Sequence, residues 1–207
     1  MLAVQGGSLP GIITTDKPVH SLDDLVGLRL RAPTELLTVL SELGVDAISM
    51  PMNDVYSGLA KGMLDGVVAP LDTFRSLHFA DVAKYYANLE VTRGAYPARA
   101  MRLERWQQLD PELQQVLEEA TFVWEAALSR QTQVAQQEGL ELAVQEGVQI
   151  TDIAPSEQAR FDAQYLLEAE RNAAALDQYG IDGRSVLAVA RASVTDNGTI
   201  VCSGGSN

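Results

Sequence analysis

The sequence predicts an α/β protein with a short parallel or mixed sheet flanked by helices. Between Gly27 and Pro70, three short apolar runs alternate with two helical segments at nearly even spacing. From Pro111 onwards, a helical periodicity dominates instead. Strands joined by crossover helices form parallel sheets, and the ligands of such sheets bind beyond the carboxyl ends of the strands. The pattern therefore predicts a ligand-binding α/β unit followed by a long helical segment.

The first 70 residues predict five strands and two crossover helices. Gly and Pro punctuate apolar runs at 2–4 and 12–15, and each run is typical of a strand. Ser21 begins one helical turn, because Asp24 stands three positions later as in a capping box. The alternating region predicts strands at 28–32, 47–51 and 65–70, with helices at 35–43 and 54–61.

The next segment predicts a helix at 71–83 and strands at 85–91 and 96–103. A long helix then begins at Pro111, where Asp110 serves as N-cap and proline occupies the first helical position. Extended to residue 147, it would be roughly 50 Å long. We expect it either to run alongside two lobes or to break near Gly139.

The C-terminal part predicts a strand at 148–153, an amphipathic helix at 155–179 and a further helix at 185–192. Residues 195–207 are polar and glycine-rich, which favours a flexible tail.

Composition excludes several classes of function. The net charge of -13 disfavours nucleic acid and anionic membrane surfaces, whose phosphates it would repel. Cys202 is the only cysteine, and His20 and His78 stand alone, so neither a zinc site nor a nucleophilic site is predicted. No cofactor is expected. Residues 1–8 do not resemble a signal peptide, so either the protein is not exported or its start has been removed.

Arg31 is the candidate binding residue that the pattern itself singles out. It ends a predicted strand, and its planar guanidinium can meet both oxygens of a carboxylate while remaining charged. The sequence thus predicts a binding protein for a small carboxylate, not an enzyme. The alternative is a surface arginine that pairs with Glu35 or Asp46.

Several motifs, in order, resemble the solute-binding proteins of TRAP transporters (the DctP type). Residues 17–33 (KPVHSLDDLVGLRLRAP) are similar to the region that carries the family's ligand-binding arginine. The segments 43–44 (LG), 50–59 (MPMNDVYSGL), 61–66 (KGMLDG), 106–114 (WQQLDPELQ) and 146–150 (EGVQI) follow in the family's order. The resemblance extends from about residue 10 to residue 170.

This resemblance implies a periplasmic, two-lobed α/β protein that closes around an organic acid and delivers it to membrane permease subunits. Arg31 matches the arginine that pairs with the ligand carboxylate. Met52 stands where some relatives place a phenylalanine against the ligand, Tyr56 lies near the pocket, and Ala69 replaces an asparagine of several members. Core packing is the alternative role for Met52 and for Tyr56. The identity of the acid stays open.

The resemblance also implies how the chain divides. Residues 1–95 would form the ligand-binding unit of the second lobe, and 96–136 a crossover strand and long helix belonging partly to the first lobe. Residues 137–194 would complete the second lobe with helices, ahead of the tail at 195–207. We expect that most of the N-terminal lobe and the signal peptide are missing. Surfaces exposed in that way favour a homo-oligomer, so an oligomeric interaction module that binds no ligand is the alternative function.

Overall fold

The computed structural model describes residues 3–4, 8–91 and 98–194. The chain divides into two compact units, residues 1–158 and 159–207. The strands are β1 (Ala3–Val4), β2 (Gly11–Thr14), β3 (Arg29–Arg31), β4 (Asp46–Ile48), β5 (Gly66–Ala69), β6 (Tyr85–Asn88), β7 (Ala98–Arg99) and β8 (Gln149–Asp152). The α-helices are α1 (Leu37–Glu42), α2 (Met52–Ala60), α3 (Thr73–Ser76), α4 (Leu103–Gln107), α5 (Pro111–Gln145), α6 (Pro155–Ala175) and α7 (Gly183–Ala192).

The first unit is built on a six-stranded mixed sheet in the order β4-β3-β5-β2-β6-β8. Strand β3 pairs in parallel with both β4 and β5, as the alternating pattern predicted. Strand β2 is antiparallel to β5 and to β6, and β6 is parallel to β8. Five of the six strands therefore run in one direction, and β2 runs in the other. A separate antiparallel pair joins β1 to β7.

One face of this sheet carries the main apolar core. Ile13 lies opposite both Val67 and Tyr86, so the three side chains share a face. They pack with side chains from α2, α3, α5 and the 3-10 turn after α3, and Phe74 on α3 and Phe79 in that turn are fully buried. Burial of an aromatic or large aliphatic side chain contributes roughly 1.5–3 kcal/mol. This core holds α2 and α3 against the same face of the sheet.

The prediction of one helix at 71–83 is wrong. The α-helix α3 is only four residues long, His78 adopts a left-handed conformation with φ of 57°, and a 3-10 turn follows at Phe79–Asp81. In one continuous helix, Phe74 and Phe79 would point about 140° apart. The break at His78 lets both aromatic side chains enter the same core.

The long helix α5 runs unbroken from Pro111 to Gln145, so the second of the two predicted alternatives, a break near Gly139, is wrong. Gly139 is instead a packing position, because a Cβ there would lie 2.2 Å from the carbonyl oxygen of Leu71. The Asp72 amide donates to Gln136 Oε1 at 3.1 Å, and Arg75 forms an ion pair with Glu138. The C-terminal third of α5 therefore packs against α3 and the connection between β5 and α3.

The predicted strand at 96–103 is only partly present. Ala98–Arg99 form β7, whereas Leu103 begins α4, and residues 96–97 lie outside the described residues. Arg99 contacts the ring of Trp124 on α5, with its guanidinium carbon 4.5 Å from the ring centroid. The predicted tail at 195–207 also lies outside the described residues.

The second unit, residues 159–207, is helical over its described part. It contains most of α6, a 3-10 turn at Leu176–Tyr179 and α7. Asp182 caps α7 by accepting a hydrogen bond from the Ser185 amide at 3.0 Å. The predicted helices at 155–179 and 185–192 are thus present, with the last turn of the first one tightened to 3-10 geometry.

Gly139→Ala should destabilise the first unit, although alanine usually stabilises a helix by about 1 kcal/mol relative to glycine. The new Cβ would collide with the Leu71 carbonyl, and rigid backbone cannot move aside cheaply. We expect a loss of about 2 kcal/mol in urea unfolding followed by circular dichroism. Gly58→Ala is the matched control and should cost less, because its Cβ meets the Leu64 side chain, 2.8 Å from Cδ1, which can shift more easily than backbone. Equal or higher stability of Gly139→Ala would contradict the packing argument.

Candidate functional site

The candidate site lies at the sheet edge where the five strands of common direction end. Their last residues are Arg31, Ile48, Ala69, Asn88 and Asp152. Crossover connections leave the sheet at this edge, so the chain turns into helices beyond it. The sequence placed the ends of β3, β4 and β5 here, and the structure agrees.

Arg31 is the last residue of β3 and is half-buried, in register with Ile48 on β4 and Val67 on β5. Its Nε donates a hydrogen bond to the carbonyl oxygen of Met50 at 3.1 Å. This bond holds the guanidinium beside the connection between β4 and α2. The placement at a strand end matches the prediction, whereas a ligand-binding role for Arg31 stays a prediction.

The alternative role for Arg31 was a surface arginine paired with Glu35 or Asp46. In the structure, Asp46 forms an ion pair with Arg29. Arg29 Nε lies 2.7 Å from Asp46 Oδ2, at the opposite end of β3 and β4. This bond raises the pKa of Arg29 above its ordinary value. Arg29 therefore lies at the amino end of β3, whereas Arg31 lies at its carboxyl end.

The amino terminus of α2 lies next to Arg31 along the chain. Pro51 is its N-cap, and the helix begins at Met52, two residues after the carbonyl that Arg31 contacts. The exposed amides at a helix start carry a partial positive charge, which favours an anion. Asp54 in the first turn offsets part of this charge. The guanidinium and the helix start together make this part of the edge electropositive.

Met52 and Tyr56 lie one turn apart on α2 and line the same groove, which has a volume of about 520 Å³. Leu77, His78 and Phe79 form its other wall. Met52 is partly buried against the core, while Tyr56 is 36% exposed. Among the residues that the structure describes, Arg31 and Ala69 do not line this groove.

Ala69 ends β5 opposite Gly11, and its side chain is only 1% exposed. A methyl group there offers no hydrogen bond, so Ala69 shapes the edge by its small volume. The predicted site residues therefore fall into two places: Arg31 and Ala69 at the strand ends, and Met52 with Tyr56 in the groove.

Sequence reasoning missed Tyr86, whose hydroxyl is buried directly under this edge. A Cβ on Gly11 would lie 2.5 Å from the Tyr86 hydroxyl oxygen, so only glycine fits where β2 begins. Burial raises the pKa of Tyr86 to about 12, with the Gly11 amide opposing the shift and the Asp72 charge adding to it. The glycine between Pro10 and Ile12 was the one signal of this close approach in the sequence.

Metal-ligating side chains do not cluster in the described part of the chain. Within residues 3–4, 8–91 and 98–194, no group of three His, Cys, Asp or Glu side chains is arranged to hold a metal ion. In the same described segments, no helix has the length and apolar character needed to cross a membrane.

Comparison with known families identifies the family to which the chain belongs. The model of the family "bacterial extracellular solute-binding protein, family 7" (DctP) matches residues 1–169. The chain belongs to this family. The family is one of solute-binding proteins, which confirms the resemblance and agrees with the prediction of a binding protein rather than an enzyme.

Two curated relatives are similar over part of their length. A solute-binding protein of Roseobacter denitrificans is 34% identical over 86 residues, covering 41% of this chain and 26% of the relative. The sialic acid-binding periplasmic protein SiaP of Vibrio cholerae is 25% identical over 152 residues, covering 70% of this chain and 46% of SiaP. The chain therefore spans less than half the length of either relative.

A solved structure supports the same fold. The TRAP solute-binding protein of Rhodoferax ferrireducens, in complex with copurified benzoate, matches with a TM-score of 0.76 and 25% identity. The match covers 92% of this chain and 62% of that protein. The periplasmic-binding-protein-like α/β architecture is therefore confirmed.

Tyr86 should make stability fall as the pH rises above 10. Between the ordinary tyrosine pKa of 10.0 and the folded value of about 12, the unfolded chain binds fewer protons than the folded one. The free energy of unfolding should then decrease by roughly 1–3 kcal/mol across this window. Urea unfolding from pH 9 to 11 covers the first half of this window, where a decrease of about 1.4 kcal/mol is expected. Tyr86→Phe should show a smaller slope, and Tyr179→Phe, at a tyrosine that is 72% exposed, should retain the slope of the parent.

Proposed function

We propose that this chain carries ligand-binding elements of a periplasmic TRAP-type receptor and that it binds a small organic acid through Arg31. The observation that carries the proposal is the position of Arg31. It ends the strand between two parallel neighbours, and its Nε is fixed to the Met50 carbonyl. Binding beyond the carboxyl ends of parallel strands is the general rule for open α/β sheets.

The chemistry of a guanidinium supports a carboxylate ligand. With Nε bonded to Met50, the two Nη atoms carry the N–H groups that form paired bonds to carboxylate oxygens. Each hydrogen bond of this kind contributes about 1.5–3 kcal/mol. The positive end of α2 adds to the same local potential.

The relatives support the same class of ligand, since sialic acid and benzoate are both carboxylic acids. By family membership we also assign this chain to the periplasm, with membrane permease subunits of a TRAP transporter as its partners. The division predicted from the sequence, with residues 1–95 as the second-lobe unit and 96–136 partly in the first lobe, belongs to this proposal.

Arg31→Ala should abolish most of the affinity for the acid. Loss of two charge-assisted hydrogen bonds, at about 1.5 kcal/mol or more each, predicts at least about a 150-fold weaker Kd. Isothermal titration calorimetry with a panel of monocarboxylates, dicarboxylates, keto acids and sugar acids measures the effect.

Arg29→Ala is the matched control, since Arg29 shares the strand and the face of Arg31 but pairs with Asp46 at the other end. It should bind as the parent chain does. An acid that binds the parent and Arg31→Ala equally well would refute the assignment of Arg31. The absence of binding by any acid in the panel would count against the receptor function of the chain.

A second candidate function is self-association through α5. Between Leu113 and Val123, apolar residues recur along this helix with alternating spacings of three and four, which is the pattern of a helix–helix seam, and Val134 lies on the same face three turns further on. The exposed members are Leu113, Val116, Ala120, Val123 and Val134. A second copy of the chain, offering the same seam, is the occupant that this repeat fits.

Sedimentation equilibrium from 1 to about 100 µM would test this association. We expect a dimer whose affinity drops at least tenfold in Val123→Glu, because the charge would be buried in the seam. Val186→Glu, at an exposed valine on α7, is the control and should leave the affinity unchanged. A monomer throughout the range would refute the candidate.

A further inference from the structure

The wall beside Arg31 on the side of α2 is apolar. Met50 and Met52 both pack partly buried against the core, so their side chains extend the core surface toward the edge. Met50 is the residue whose carbonyl holds Arg31, and Met52 lines the α2–α3 groove. Two residues of chain span at most about 7 Å, so the residue that holds Arg31 and the nearest residue of the groove are close neighbours along α2 and the connection before it.

The groove itself suits an apolar group with limited polar substitution. Its apolar lining residues are Met52, Leu77 and Phe79, and Leu77 and Met52 both belong to the margin of the core. On the wall opposite α2, the polar lining residues are Ser76, His78 and Asp81. Its volume of about 520 Å³ lies in the range of small-molecule sites. Tyr56 and Asn53 stand on the exposed surface of α2 and place polar groups at the rim.

The hydroxyl groups near the strand ends are engaged with the protein. Thr34 Oγ1 and Ser49 Oγ form a hydrogen bond of 3.3 Å to each other, across the connections that follow β3 and β4. Tyr86 is 2% exposed, and its hydroxyl lies against Gly11. A polyhydroxylated ligand body placed here would exchange bonds to water for contacts with methionine and alanine, which costs free energy.

We infer that the acid bound by Arg31 has an apolar body, aryl or branched alkyl, which lies on Met52 and enters the α2–α3 groove. This inference rests on the proposed function and narrows its ligand from carboxylates in general to hydrophobic monocarboxylates. A single hydroxyl at the far end of the body remains compatible with it, because Asn53 and Tyr56 border the groove.

The test compares three acids of equal charge: benzoate, 3-phenylpropanoate and galacturonate. Calorimetry on the full chain should give at least tenfold tighter binding of an aryl acid than of the sugar acid. Met52→Gln should weaken binding of that aryl acid about tenfold, because the terminal thioether of methionine, which would contact the ligand, is replaced by a polar amide. Met63→Gln is the matched control, since Met63 is 52% exposed beyond the other end of α2.

The outcomes distinguish failure of this inference from failure of the proposed function on which it rests. Tighter binding of galacturonate, or equal binding of the aryl acid by Met52→Gln and Met63→Gln, would overturn the inference while leaving an Arg31-dependent receptor in place. Binding that survives Arg31→Ala would overturn the proposed function instead. Weak aryl-acid binding in Met52→Gln, with affinity retained in Met63→Gln and lost in Arg31→Ala, would support both.

Discussion

The hydrogen bond from Arg31 Nε to the Met50 carbonyl is the interaction on which the candidate site depends. An arginine side chain has several rotatable bonds, and an unanchored guanidinium would lose considerable rotamer entropy when it met a ligand. The bond to Met50 fixes one edge of the group in advance. It also couples the strand end to the start of α2, so two sources of positive potential stand side by side.

The hydrogen bond to Met50 can position Arg31 at the candidate site only because the neighbouring strands end at the same level. Arg31 lies between Ile48 and Val67 in register, and these pairings follow from the parallel arrangement of β3, β4 and β5. The connection after β5 is then held by α5, through the Leu71 carbonyl against Gly139 and the Asp72 amide bonded to Gln136. The edge is therefore supported on one side by the sheet and on another by the longest helix of the chain.

Local pattern was sufficient for the elements that the sequence predicted well. Apolar runs alternating with helical ones identified β3, α1, β4, α2 and β5, because each connection is short and each element has a local apolar pattern of its own. His78 escaped prediction because nothing local distinguishes a histidine that ends a helix from one inside it. Its left-handed conformation follows from the need to bury both Phe74 and Phe79, which is a tertiary requirement.

The same limit applies to Gly139 and to Tyr86. A glycine within a helical pattern indicates either a break or a close approach, and only the position of the Leu71 carbonyl decides between them. Tyr86 looked like an ordinary strand residue, yet its hydroxyl occupies the space that a side chain at position 11 would need. In both cases the glycine carried the signal, and its partner lay more than 60 residues away in the sequence.

The excess of acidic residues is compatible with an anionic ligand because charge acts locally. With a net charge of -13 the chain repels anions at long range, but ions at physiological strength screen such interactions beyond about 8 Å. A carboxylate in contact with Arg31 is about 3 Å from the guanidinium nitrogens, inside that screening distance. Partial burial of Arg31 strengthens this short contact further, since the surrounding dielectric is lower than that of water. Under the proposed function, the net charge would therefore slow the approach of the acid, whereas the half-buried guanidinium at the end of β3 would determine whether it stays.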